Sequence, residues 1–329
     1  MTALLEVRGL ETRFATRRGA LHAVDGLSFR LEAGRVLCIV GESGSGKSVT
    51  ARSIMRLVGP PGRIVGGEVL LQGRDLLRLE EREMREIRGD RVAMIFQNPL
   101  TALNPGLTVG EQVAEGLILH RGMDRAAARG ETRELLRKVG IPAAEERLDE
   151  YPARFSGGMR QRILIAAAIA CDPELLIADE PTTALDVTMQ AQILRLLKTL
   201  QEETGSGLIM ITHDLGVVAA IADEVLVMYA GRAVEQGPVE TIFSAPRHPY
   251  TIGLIDAARA LEDIERPIWP IPGAPAVALG ARQGCAFAPR CAYASERCRQ
   301  SVPPLEALSP QHRVACHEKP QDQSREATA

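Results

Sequence analysis

The segment VLCIVGESGSGKS, residues 36–48, begins with five consecutive apolar residues and continues as a loop rich in glycine and serine. A short apolar run is typical of a strand buried in a parallel sheet, and the loop matches the pattern G-x-x-x-x-G-K-[ST]. Such glycines let backbone N–H groups converge on phosphates, and the helix that follows adds positive charge at its N-terminus. The segment therefore predicts a nucleotide-phosphate site formed by Gly41, Ser43, Gly44, Ser45, Gly46, Lys47 and Ser48.

The lysine in this loop is informative because lysines are rare in the chain. Lys47 is one of only four, against 35 arginines. A compact ammonium contacts a terminal phosphate as a point charge, whereas a guanidinium is planar and forked. In this motif the hydroxyl of Ser48 would be a ligand of Mg²⁺.

Apolar strands and helical segments alternate along the chain. We expect strands at 27–31, 36–40, 175–178, 208–212 and 225–228, a hairpin at 66–75, and helices at 48–58, 187–203 and over most of 110–168. This alternation favours an α/β fold with a sheet covered by helices. Seven prolines between 246 and 289 predict that regular structure is interrupted there, and the polar residues 318–329 predict disorder.

Two further segments carry residue types that phosphate chemistry needs. The strand at 175–178 precedes Asp179, which would hold Mg²⁺, and Glu180, which would act as general base on a water. Ser156 and the two glycines after it begin another helix, where they either bind an anion or cap the helix. Ser156 lies 109 residues after Lys47. A helical insertion lies between them, so as an anion site this second helix start could act on a nucleotide held by another copy of the chain or by a homologue.

Six motifs in this order, over roughly residues 4–240, resemble those of the ATP-binding subunits of ABC transporters. Beside the phosphate loop and the acidic pair, they comprise Gln97, the signature Ser156, Gly157 and Gly158, the loop Ala184-Leu185-Asp186, and His213. The resemblance implies a phosphate-loop ABC ATPase core, an α/β fold with a mixed sheet and a helical subdomain at about 98–168. The signature departs from the commonest form at Phe155 and Met159, and neither change removes a phosphate contact.

The resemblance also implies a role for each residue. Lys47, Gln97, Glu180 and His213 would take part in ATP hydrolysis, and Ser48, Gln97 and Asp179 would hold Mg²⁺. Ser156, Gly157 and Gly158 would contact the γ-phosphate on the opposing subunit, and Asp186 would lie at the dimer interface. Phe14 is the candidate for stacking on adenine, and a core or hairpin role for Phe14 stays open.

The residues after about 240 indicate a closer resemblance, to one group within the ABC transporter ATPases. The chain resembles the ATPases of oligopeptide/dipeptide importers and the related nickel importers in its prolines, its cysteines and the string Arg247-His248-Pro249-Tyr250-Thr251. The string at 95–105 is also similar to that group, in which Asp is more usual than Asn98. We therefore divide the chain into an ABC nucleotide-binding domain at 1–240 and a small Pro/Cys-rich C-terminal region at 241–329.

Four of the six cysteines lie in that region, in the pattern C-x5-C-x6-C-x17-C: Cys285, Cys291, Cys298 and Cys316. Clustered cysteines in a cytosolic protein favour a metal site over disulfides. The spacing lacks the C-x2-C pairs typical of zinc, whereas four thiolates suit an iron–sulfur cluster, whose negative charge Arg290, Arg297 and Arg313 would offset. The resemblance implies a [4Fe–4S] cluster. Two alternative interpretations of these cysteines stay open: a Zn²⁺ site that includes His312 or His317, and free thiols.

The two remaining cysteines, Cys38 and Cys171, lie in apolar runs and are expected in the core. The net charge of −3 argues against a nucleic-acid partner. The longest apolar run, Ile163 to Cys171, is far shorter than the roughly 20 residues of a membrane span, and Glu6 argues against a secretory signal. We therefore expect a cytosolic protein, and the resemblance implies that it is peripheral, on the cytoplasmic face of the inner membrane.

The resemblance implies an ATPase subunit of a peptide importer. Its expected partners are a homologous second ATP-binding subunit, two transmembrane permease subunits and an extracytoplasmic substrate-binding protein. An importer of nickel or another small solute is the alternative within the family. A soluble ABC ATPase of DNA repair or translation, and a non-catalytic regulatory module, are the alternatives outside it.

Overall fold

The computed structural model describes residues 3–183, 185–262, 270–280 and 283–320. They form two compact units. The first contains Leu31–Arg35, Arg78–Met210 and the described residues before Glu6. The second contains Glu6–Arg30, Val36–Leu77 and the described residues from Ile211 onward.

Strands and helices alternate through most of the described chain. The strands are β1 (Leu5–Thr16), β2 (Gly19–Leu31), β3 (Val36–Val40), β4 (Gly62–Leu71), β5 (Arg74–Asp75), β6 (Val92–Ile95), β7 (Leu175–Asp179), β8 (Gly207–Thr212), β9 (Glu224–Tyr229), β10 (Arg232–Pro238), β11 (Glu306–Ser309) and β12 (His312–Val314). The α-helices are α1 (Lys47–Ile54), α2 (Glu81–Ile87), α3 (Pro99–Ala102), α4 (Val109–Arg121), α5 (Arg125–Lys138), α6 (Ala144–Arg147), α7 (Gly157–Ile169), α8 (Val187–Thr204), α9 (Leu215–Ile221), α10 (Val239–Ser244), α11 (Pro249–Glu262) and α12 (Glu296–Gln300).

The second unit contains the strand that leads into the phosphate loop. Its hydrogen-bonded strand order is β11-β12-β10-β9-β3, and a separate sheet has the order β2-β1-β4-β5. β3 runs parallel to β9, with Val40 opposite Val227, and all five residues of β3 are buried. The other pairs of the larger sheet in this unit are antiparallel. The phosphate loop leaves the carboxyl end of β3, the edge at which α/β proteins usually bind ligands.

The first unit combines parallel strands with the helices of the middle of the chain. Its strand order is β8-β7-β6, and β6 pairs in parallel with β7 so that Ile95 lies opposite Ala178. α3 to α7 occupy the segment for which a helical subdomain is predicted. α7 carries Ile163, Ile165 and Ala166, which are fully buried and contribute to the core of this unit.

The predicted strands at 36–40, 175–178, 208–212 and 225–228 are confirmed within a residue or two. α1 ends at Ile54, four residues earlier than predicted, because Arg56 adopts the left-handed conformation with φ 51°, which ends helices. No helix of the described chain is both long and apolar enough to cross a bilayer.

Regular structure is interrupted between residues 246 and 289 as predicted, since residues 270–280 form neither a helix nor an extended strand, but one helix there is longer than expected. Residues 249–262 form the continuous helix α11, because Pro249 stands at its first position, where proline is well tolerated. β12 pairs with β10 and so joins the chain's end to the sheet of the second unit. Glu318 and Lys319, which we expected to be disordered, contact Ser295 and Glu306; residues 321–329 lie outside the described residues.

Candidate nucleotide site and C-terminal cysteine site

The phosphate loop in the second unit depends on glycine where the backbone is most crowded. Gly41 has φ 152°, and a Cβ there would lie 2.2 Å from the carbonyl oxygen of Met228. Gly46 has φ 103°, and its Cβ would lie 2.2 Å from the carbonyl oxygen of Ala23. Any side chain at either position would displace backbone, so the loop conformation requires both glycines.

The lysine of this loop is buried, and its ammonium group is held by the loop itself. Lys47 Nζ donates to the carbonyl oxygen of Gly41 at 2.6 Å and to that of Glu42 at 3.0 Å. Ser45 is buried below it, whereas Ser43 and Gly44 are exposed. Ser48 lies in the first turn of α1, whose N-terminus adds positive charge for an anion.

In the first unit the structure brings two predicted catalytic residues together. Gln97 follows β6 by two residues and Glu180 follows β7 by one, so the ends of two parallel, paired strands place them side by side. Gln97 Nε2 donates to Glu180 Oε2 at 2.8 Å. Thr183, which the sequence analysis missed, donates its hydroxyl to the same oxygen at 2.9 Å.

The backbone of Glu180 is in the left-handed region, with φ 47°. For a residue with a Cβ this costs energy, and such residues concentrate at functional sites. Asp179, the last residue of β7, is buried. The two carboxylates thus differ in their environment, one buried at the end of the strand and the other presented by a strained turn between two donors.

The signature segment has the predicted helix start. Ser156 Oγ accepts from the backbone N–H of Met159 at 3.3 Å and caps α7. Gly157 faces open space, whereas a Cβ on Gly158 would lie 2.2 Å from Cε of Met189. The departure at Phe155 is accommodated in the core, where Arg147 lies 5.5 Å from the centre of its ring.

The remaining predicted residues are Asp186 in the first unit and His213 and Phe14 in the second. Asp186 caps α8 by accepting from the N–H of Met189 at 2.9 Å; Ala184 lies outside the described residues. His213 follows β8 and is exposed. Phe14 is half-buried in β1, with its ring against Gly62, so that its predicted contact with adenine stays a prediction.

Comparisons with known proteins agree with these motifs. Residues 24–183 match the family model of ABC transporters, and residues 234–298 match that of the oligopeptide/dipeptide transporter C-terminal region. The oligopeptide transport ATP-binding protein OppD of Salmonella typhimurium is 52% identical over 313 residues, covering 95% of this chain and 93% of that protein. The dipeptide transport ATP-binding protein DppD of Bacillus subtilis is 50% identical over 317 residues, covering 96% and 95%.

The chain belongs to this family of ABC transporter ATP-binding proteins. The fold agrees, since the dimeric structure of the bacterial ABC transporter cassette MJ0796 aligns with a TM-score of 0.65 at 29% identity, over 71% of this chain and 98% of that one. The predicted α/β ABC ATPase core, the oligopeptide/dipeptide family and the ATPase activity are thereby confirmed.

The family's C-terminal region contains three of the four clustered cysteines, and Cys316 lies beyond it. All four line one small cavity of the second unit, together with His317. None forms a disulfide. Among the described residues, no three His, Cys, Asp or Glu side chains are grouped closely enough to hold a single metal ion.

Burial raises the pKa of three of these thiols, and for Cys291 the pKa reaches about 11. His312 does not line the cavity; its Nε2 lies 2.8 Å from Oε1 of Glu235. We expected Arg290 to offset the negative charge of a cluster, but the structure corrects this, because its guanidinium pairs with Glu42. Cys38 and Cys171 are buried, as predicted.

Proposed function

We propose that this chain hydrolyses Mg-ATP as one ATPase subunit of an importer of di- or oligopeptides. The observation that carries the proposal is the carboxylate of Glu180, held by Gln97 and Thr183 beside the buried Asp179. A carboxylate fixed by two donors at a strand end is suited to orient and deprotonate a water that attacks a phosphate. The full-length likeness to OppD and DppD proteins supports peptides as the substrate class.

Each unit supplies a defined part of the chemistry. The backbone N–H groups of the phosphate loop and Lys47 bind the phosphates, and Phe14 stacks on adenine. Mg²⁺ would neutralise charge on the β- and γ-phosphates, and Ser48, Gln97 and Asp179 have the oxygen ligands that it prefers. His213 contacts the γ-phosphate.

The signature acts on the nucleotide of a second subunit. Ser156, Gly157 and Gly158 present a capped helix start to the opposing γ-phosphate, and Asp186 lies in the interface between subunits. Val187, next to Asp186, is 83% exposed, so this surface is accessible to a partner. The second subunit is a homologous ATP-binding chain, in a heterodimer.

The other partners are two transmembrane permease subunits and an extracytoplasmic substrate-binding protein. Phe96, Leu100 and Leu107 are exposed in the segment around Gln97. Exposed apolar side chains close to a catalytic residue are suited to transmit movement to a permease helix. The chain is accordingly a peripheral protein of the cytoplasmic face of the inner membrane, with a nucleotide-binding domain at 1–240 and a C-terminal region at 241–329.

We also propose that Cys285, Cys291, Cys298 and Cys316 hold a [4Fe–4S] cluster. The donor set fits in number and kind, since four thiols that form no disulfide line one cavity and a [4Fe–4S] cluster takes four thiolates. Bound there, the cluster would crosslink a segment that has little apolar core of its own. Anaerobic preparation should give about four iron and four sulfide per chain, lost in Cys291→Ser and retained in the control Cys171→Ser. One zinc without sulfide, or no metal, would refute the cluster.

The ATPase proposal is tested with Glu180→Gln in the assembled transporter. Loss of a general base lowers a rate by about 10²–10⁴-fold, so we expect ATP hydrolysis and peptide uptake to fall together while ATP still binds. Glu131→Gln, an exposed Glu of the same unit, is the matched control. Normal hydrolysis by Glu180→Gln would exclude Glu180 as the base. If the transporter took up labelled nickel and not labelled dipeptide, the proposal of a peptide substrate would be wrong and the ATPase assignment would stand.

A further inference from the structure

The phosphate loop is hydrogen-bonded to the C-terminal region through Glu42, which stands at a position of the motif where any residue type is allowed. The carboxylate of Glu42 accepts two hydrogen bonds from Arg290, from Nη1 at 2.7 Å and from Nη2 at 3.1 Å. The backbone N–H of Glu42 donates to the hydroxyl of Tyr250 at 2.7 Å. Side chain and backbone of one loop residue are thus both held by residues at least 208 positions further along the chain.

The surroundings of Arg290 hold its guanidinium in one orientation. Its side chain is only 6% exposed. Nε donates to the carbonyl oxygen of Pro272 at 2.8 Å, and Nη1 lies 3.3 Å from the hydroxyl of Tyr229. The guanidinium also lies 5.9 Å from the ring centre of Phe287. A buried charge is tolerated only when it is paired and hydrogen-bonded, and the fork geometry of Arg matches a carboxylate in two places at once.

Glu42, which Arg290 holds, also contacts the catalytic lysine, Lys47. The carbonyl oxygen of Glu42 accepts from Lys47 Nζ at 3.0 Å. The chain of contacts therefore runs from Arg290 to the carboxylate of Glu42, and from the backbone of Glu42 to the ammonium group that binds phosphate. A loop that binds phosphates through its backbone depends on that backbone being fixed beforehand.

We propose that Arg290 is a positioning residue for the phosphate loop: by holding Glu42, it fixes the loop in the conformation that binds the phosphates of ATP. Arg290 does not contact the nucleotide in this scheme. The proposal goes beyond the ATPase assignment, because it makes ATP affinity depend on a residue of the C-terminal region.

A simpler role is possible for the same pair, and it predicts a different result. If Arg290 only neutralises a negative charge near the phosphates, removing both charges should restore ATP binding. If Arg290 positions the loop, removing both should leave binding as weak as either single change. The Arg290→Gln and Glu42→Gln variants and their combination distinguish the two roles.

The experiment measures the dissociation constant of ATP for the full-length chain, together with thermal unfolding. We expect Arg290→Gln and Glu42→Gln each to weaken ATP binding about five- to tenfold, with no further loss in the double variant. Arg290→Lys should lie between wild type and Arg290→Gln, since an ammonium cannot bind the carboxylate at two points. The control Arg30→Gln breaks an Arg–Glu pair with an N–O distance of 2.7 Å between β1 and β2, and should leave affinity unchanged.

Tyr250→Phe keeps the ring and removes only the hydroxyl that accepts from Glu42, so it tests the same loop if Arg290→Gln fails to fold. We expect it to weaken ATP binding two- to threefold while the chain stays folded, with only a small loss of thermal stability. Normal affinity in Glu42→Gln, restored affinity in the double variant, or normal affinity in both Tyr250→Phe and Arg290→Lys would overturn the proposal.

Discussion

Substitution of Glu235, in the middle of β10, should weaken the contacts that hold the C-terminal region to this strand. Its side chain is fully buried. Oε1 accepts from the N–H of Arg247 at 2.7 Å and lies 2.8 Å from Nε2 of His312, and Oε2 accepts from the N–H of His248 at 2.9 Å. One carboxylate therefore binds the backbone before α11 and a side chain of β12.

Glu235→Gln keeps the shape and removes one acceptor. The amide NH₂ would face a buried N–H, leaving at least one donor unsatisfied, at a cost of about 1–3 kcal/mol. The remaining hydrogen bonds would also lose their charge assistance, since a bond to a charged group is worth about 1.5–3 kcal/mol and one to a neutral group about 1. Together these changes should destabilise the second unit by about 3 kcal/mol.

Calorimetric unfolding and limited proteolysis would measure the effect. At about 2–4 °C per kcal/mol for a unit of 150–250 residues, we expect Tm to fall by about 6–12 °C. Cleavage should become faster between α10 and β12. Glu240→Gln makes the same chemical change at an exposed position five residues away and is the control. A Tm for Glu235→Gln within 1 °C of that control would refute the reasoning.

Two further predictions concern other sites. Burial lowers the pKa of His248 to about 4, so between pH 4 and 6.5 the unfolded chain binds a proton there that the folded chain does not. Stability should therefore rise with pH across that window, by roughly 3 kcal/mol, and His248→Gln should flatten the slope in unfolding measured at each pH. Gly41→Ala should abolish ATP binding, because its Cβ would meet the carbonyl oxygen of Met228 at 2.2 Å. Gly44→Ala, which meets nothing within 4 Å, should cost only about 1–2 kcal/mol for its positive φ, and equal effects of the two in an ATP titration would refute the steric argument.

The parts of the molecule that local pattern controls could be predicted from the sequence. The apolar run at 36–40 forms a fully buried strand, and Gly41 and Gly46 of the loop that follows occupy positions where a Cβ does not fit. The juxtaposition of Gln97 and Glu180 does not follow from local pattern, because β6 is not among the predicted strands and its pairing with β7 brings together residues 83 positions apart.

Contacts between distant residues could not be predicted in this way. Arg290 and Glu42 are 248 positions apart, and neither belongs to a periodic pattern that points to the other. β11 and β12 are short strands of three or four residues, too brief for alternation of apolar and polar residues to identify them. Thr183 was missed because its hydroxyl reaches Glu180 only through the strained turn.

The pairing of β10 with β12 has a consequence for where the chain can be cut. β10 lies between β9 and β12, and its residues Glu235 and Gln236 are paired on both sides. A truncation after residue 240, at the limit of the nucleotide-binding motifs, would turn β10 into an edge strand with free hydrogen-bonding groups and would strip Glu235 of His312. Exposed edges of this kind recruit strands from other molecules. We expect the shortened protein to self-associate, so the C-terminal region protects the solubility of the ATPase as well as extending it.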